Sequence, residues 1–114
     1  MTFSEIYTML SNIEKDGVKV PCAYYQFGDD TGQQPPFICF FYSGSDDFAA
    51  DNSNYAKIET LNIELYTDVK DFELEAAVED TLRENGLTWE RSEEFIDSEM
   101  MHETIYTTEV LINA

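Results

Sequence analysis

Residues 55–86 read YAKIETLNIELYTDVKDFELEAAVEDTLRENG, and the hydrophobic period changes once within them. Leu61, Ile63 and Leu65 alternate with Thr60, Asn62 and Glu64, the two-residue repeat of a strand with one wet face. TDVKD then turns the chain, and Asp71 is placed to cap a helix over FELEAAVEDTLRENG. Leu74, Ala77, Val78, Thr81 and Leu82 make its buried stripe, at helical spacing. Glu73 and Glu75 suit the first turn, Arg83 suits the last, and Asn85-Gly86 closes the helix. A strand feeding such a helix buries both apolar faces only if the helix lies back on the sheet.

The flanking segments extend this pattern. TFSEIYTMLSNIEKDG opens with a capping box, Thr2 followed by Glu5, and Ile6, Met9, Leu10 and Ile13 then recur at helical spacing up to Gly17. VKVPCAYYQF carries Pro21, which predicts an edge strand or a strand starting after the proline. GDDTGQQPP is turn or loop by composition. FICFFY is apolar at every position and reads as a central strand covered on both sides. After the second helix, LTWERSEEF reads as a strand, IDSE as a turn and MMHETIYTTEVLIN as a long final strand. That last strand sets Tyr106, Thr108, Val110 and Ile112 against Ile105, Thr107, Glu109 and Leu111. The order is α-β-β-β-α-β-β, and the expected fold is a single α+β domain over residues 1–114: a two-layer structure with an antiparallel or mixed sheet and two helices on one face.

Composition narrows the function classes. The 114 residues carry 24 acids against 6 Lys and Arg, a net charge of −18. Eight Phe, seven Tyr and one Trp supply a core and argue against disorder, since disordered acidic chains are poor in aromatics. Sequence-specific nucleic-acid binding and anionic membranes are disfavoured, because both need clustered Lys and Arg. No apolar run approaches the roughly 18 residues of a membrane span. MTFSEIYTML has neither a basic region nor a long apolar segment, so an intracellular, soluble chain is expected. Cys22 and Cys39 then read as small buried hydrophobes, with a disulfide as the alternative.

Chemistry-bearing patterns fail one by one. Residues 43–54, SGSDDFAADNSN, hold Asp46, Asp47 and Asp51, yet neither aspartate start gives alternate oxygen ligands, a turn glycine and a closing Glu. Cys22, Cys39 and His102 match no zinc spacing, and His102 reads as a surface or partly buried strand histidine. YSGSDD lacks the second glycine of a nucleophile elbow, and no phosphate loop is present. Adjacent acids such as Asp29-Asp30, Asp46-Asp47 and Glu93-Glu94 are what this many carboxylates give by chance. No catalytic, cofactor-binding or metal-binding residues are assigned, and a non-enzymatic protein is expected. Residues 43–54 remain as a long polar connection with Phe48 as its apolar centre. Asp46, Asp47, Phe48, Asp51 and Asn52 form the expected interaction loop, because long loops in compact domains usually carry function.

Residues 55–112, from YAKIETLNIELYTDVKDFELEAAVED through LTWERSEEF to TIYTTEVLI, resemble the tail terminator, tail completion or head-tail joining proteins of long-tailed phages and prophages of Gram-positive bacteria. With the opening helix and the strand pair around the polar loop, the likeness spans about residues 3–112. The resemblance implies a structural α+β subunit without catalytic residues or cofactors. It implies a ring, commonly a hexamer, that caps the major tail tube protein and meets the head connector or stopper. Such a subunit is found in the bacterial host cytoplasm during assembly and then in the virion tail. Acids at 46–51 facing a ring lumen would repel the phosphates of a passing genome. The alternative is an acidic inhibitor or DNA mimic. That role needs the carboxylates of 71–85 along one continuous surface.

Overall fold

The computed structural model describes residues 1–26, 32–48 and 56–112. Helix α1 (Phe3–Ser11) starts where the capping box places it. The Thr2 hydroxyl accepts the Glu5 N–H at 3.1 Å, and the Glu5 carboxylate accepts the Thr2 N–H at 2.9 Å. Two short strands follow, β1 (Glu14–Lys15) and β2 (Val18–Lys19), paired antiparallel. Next come β3 (Cys22–Tyr24), β4 (Phe37–Phe48), β5 (Ala56–Thr67), α2 (Phe72–Glu84), β6 (Glu90–Ile96) and β7 (Met101–Ile112). A 3-10 turn at Asp97–Glu99 joins the last two strands.

The main sheet has the order β3-β4-β5-β7-β6. β3 runs parallel to β4 and the remaining neighbours are antiparallel, so the sheet is mixed. Buried side chains of both helices join one cluster with Ile38 and Phe40 of β4, Leu61, Ile63 and Leu65 of β5, and Tyr106 and Val110 of β7. These strand residues share one face by register, so both helices lie on that face. Full burial of each such aliphatic chain contributes about 1.5–3 kcal/mol. The helix-strands-helix-strands order expected from the hydrophobic periods is observed, with five strands rather than three between the helices.

Two local expectations change. Gly17 does not end α1; Asn12 caps that helix, and Asp16-Gly17 makes the turn between β1 and β2 with φ of +52° and +82°. Two successive positive φ values are the requirement of the tight hairpin turn that Asp-Gly favours. VKVPCAYYQF breaks at Pro21 as expected, and the Pro21 carbonyl accepts the Ile38 N–H at 2.8 Å. The part after the proline becomes the sheet-edge strand β3. Residues 43–48, read as the start of a loop, continue β4. Gly44 to Phe48 pair with Thr60 to Ala56 after a register shift between Tyr42 and Gly44. Such a bulge breaks the two-residue period that would have shown the strand. The molecule is elongated, 50 × 28 × 23 Å.

Candidate interaction surface

The sheet face turned away from the helices is built from the alternate residues of β4, β5 and β7. Phe37 and Tyr66 are register partners and stack with ring centroids 4.7 Å apart. Phe41 meets Tyr25, itself 63% exposed, edge to face at 5.6 Å. The Asn62 amide donates to the Ser43 hydroxyl at 2.6 Å and accepts from the Thr107 hydroxyl at 3.1 Å. These contacts place aromatic, amide and hydroxyl groups side by side on one surface.

Two carboxyls sit at the centre of this face. Glu64 is the register partner of Ile105 and of Cys39, and Glu103 is the partner of Tyr66 and of Glu94. Burial pushes the Glu64 carboxyl up to about 7, and its hydrogen bond to Glu103 reinforces the shift. Glu103 is only 6% exposed. The Tyr66 hydroxyl is also raised, first by burial and then by its hydrogen bond to Glu103. No ion pair among the described residues reaches Glu64 or Glu103. A protonated Glu64 donating to Glu103 keeps two close carboxyls compatible.

The helix side carries a different network. Glu75 of α2 is 2% exposed and accepts from Lys70 at 2.8 Å, Arg91 at 3.5 Å and Thr104 at 3.3 Å. Lys70 also bonds Glu93, which meets His102 Nε2 at 3.1 Å. Ligand atoms of Glu75, Glu93 and His102 lie within 4.8 Å of one another, and they are the described side chains best placed to hold a metal. The Lys70 ammonium stands among them, so charge balance there is met by protein. Tyr106 donates to Glu79 at 2.9 Å, and burial and then that bond raise its hydroxyl. His102 is partly buried, as its strand position suggested.

The remaining expected residues fall as follows. The backbones of Asp46, Asp47 and Phe48 lie in β4, opposite Ile58, Lys57 and Ala56. Asp51 and Asn52 lie outside the described residues. Cys22 and Cys39 sit on adjacent strands as thiols without a disulfide, and burial pushes the Cys22 thiol up to about 12. A thiol so raised behaves as a small hydrophobe. The Glu64–Glu103 pair was missed because alternation marks Glu64 as a wet-face residue, and only cross-strand register brings Glu103 to it.

The architecture is a mixed, helix-backed sheet of α+β class. A chain of a solved structure described as the virion of a native gene transfer agent particle shares it, with a TM-score of 0.51 and 13% identity. That match covers 81% of this chain and 78% of that chain. Neither a protein-family profile nor a curated protein matches the sequence.

Proposed function

We propose that this chain is a structural subunit of a phage-type virion, a tail terminator or head-tail joining protein that caps the tail tube as an oligomeric ring. The observation that carries the reading is the fold held in common with a gene transfer agent virion chain over 81% of this sequence. The ring, a hexamer by the family resemblance, self-associates and contacts the major tail tube protein on one side and the head connector or stopper on the other. Asp46, Asp47, Phe48, Asp51 and Asn52 order against a neighbouring subunit or the tube, and the acids at 46–51 face the lumen. The chain works in the bacterial host cytoplasm during assembly and then in the virion tail.

The acidic-inhibitor alternative loses support on α2. Asp71, Glu75 and Glu79 are engaged by Lys15, Lys70, Arg91 and Tyr106, which breaks the row a phosphate mimic needs. The test is deletion of the gene in the producing phage or prophage, with particles viewed by electron microscopy. Headless tails of irregular length are expected. Normal, head-joined tails would overturn the reading, as would a stable monomer that displaces DNA from a nuclease.

A further inference from the structure

The helix-free sheet face combines an apolar surround with an acidic centre that no ion pair among the described residues reaches. Phe37, Phe41 and Tyr66 are half-buried, and Leu111 on the same side of β7 is 50% exposed. Within this surround Glu64 and the buried Glu103 stand diagonally across the β5–β7 register on the same face, and Glu103 is the hydrogen-bond partner that raises Glu64. Close carboxyls in a poorly solvated place tolerate only one negative charge unless a cation joins them.

We propose that this face is a docking surface for a protein partner that presents an apolar patch around a lysine or arginine, with the cationic group seated at Glu64 and Glu103. The proposal rests on the virion reading and names the chemistry of one partner. A guanidinium or ammonium there supplies the donors and the positive charge that the Glu64 proton now supplies, and that proton leaves to solvent. Charge complementarity points to a different protein rather than a second copy. Lys15, Lys57, Lys70, Arg83 and Arg91 all sit in ion pairs within the chain. That leaves Lys19 as the one Lys or Arg without an ion pair among the described residues. A chain with net charge −18 has little basic surface to offer its own acidic face.

Proton release makes docking pH-dependent. The titratable groups facing Glu64 are Cys39 from β4, Tyr66 on its own strand and Glu103 from β7, with Glu94 of β6 opposite Glu103. Protonation of Glu64 competes with the incoming cation, so affinity rises from pH 6 to pH 8.

The probes are the purified major tail tube protein and the purified head connector protein from the same genome, each titrated by calorimetry at pH 6 and pH 8. One of them binds the wild-type chain more tightly at pH 8. The double variant Glu64→Gln, Glu103→Gln binds about tenfold more weakly or worse and loses the pH dependence. Phe41→Asp also weakens binding, and circular dichroism checks that each variant is folded. Unchanged binding by a folded double variant overturns the proposal. So does self-association of the wild-type chain that these substitutions abolish, because the face then belongs to a second copy. Mass spectrometry of purified particles separates the two levels. Equal incorporation of wild-type and double-variant chains overturns the docking surface alone. Absence of the wild-type chain from particles overturns the virion reading beneath it.

Discussion

Lys15 and Asp71, 56 residues apart in sequence, form an ion pair through one Asp71 oxygen while the other accepts the Leu74 N–H at 3.0 Å. One side chain therefore caps α2 and ties the β1–β2 hairpin to the start of that helix.

Asp71→Ala removes both contacts and lowers stability by about 1–2 kcal/mol, read by urea unfolding at pH 7. Lys15→Met removes only an exposed ion pair and costs less than about 1 kcal/mol. The Lys15 bond holds the Asp71 carboxyl below the ordinary carboxylate value. Its stabilisation is therefore present above the unfolded value and lost as pH falls through the lowered folded one. The two variants converge with wild type in strong acid. Equal effects of both variants at pH 7 would remove Asp71 as the cap.

Glu75 is the buried anion that Lys70, Arg91 and Thr104 surround. Among the described residues, Glu75→Ala leaves Lys70 only Glu93, Arg91 only Glu79 and Thr104 no carboxylate, and costs about 1–3 kcal/mol. Adding Lys70→Met to that variant recovers part of the loss. Additive losses in the double-mutant cycle would show that the two side chains do not interact.

Glu64 titrates in the opposite sense to Asp71. Its folded value, about 7, lies above the ordinary carboxylate value of 4.5, so the folded state holds the proton more tightly. Its contribution to stability is fully present below the unfolded value and declines as pH rises through about 7. Glu64→Gln flattens that decline, measured as the melting temperature across the same interval. An unchanged pH profile would detach Glu64 from the slope.

Phe48→Ala tests the interaction segment. Assembly into particles or rings falls while the melting temperature of the isolated chain stays within a few degrees of wild type. A large drop in melting temperature would assign Phe48 to the core instead.

Gly17 sits at φ +82° in the β1–β2 turn. Gly17→Ala forces a side chain into a left-handed conformation and destabilises by about 1–2 kcal/mol, although nothing lies within 4 Å of the added carbon. A neutral result in thermal unfolding would show that the turn relaxes.

Much of the fold was legible where the hydrophobic period was clean. Leu61, Ile63 and Leu65 are all fully buried, and Leu74, Val78 and Leu82 make the inner stripe of α2, as their spacing predicts. The readings failed where a residue had two uses or a bulge broke the period. Gly17 serves a hairpin rather than a helix end, and residues 43–48 extend β4 with a polar composition that resembles a loop. Glu75 lies in the first turn of α2 as expected, yet its carboxylate is buried among Lys70, Arg91 and Thr104, which arrive from other elements.

The sequence by itself determined the helix-strands-helix-strands order, the helix caps at Thr2 and Asp71, the inward residues of β5 and α2, the two faces of β7, and the strongly acidic balance. Each of these depends on neighbours close in the chain, through side-chain period, local hydrogen bonds or composition. Tertiary structure alone decided that Glu64 meets Glu103, that Lys70 stands among Glu75, Glu93 and His102, and that one sheet face is left without helices. Those relationships come from strand register and from which face the helices cover, and both are set by packing between segments far apart in sequence.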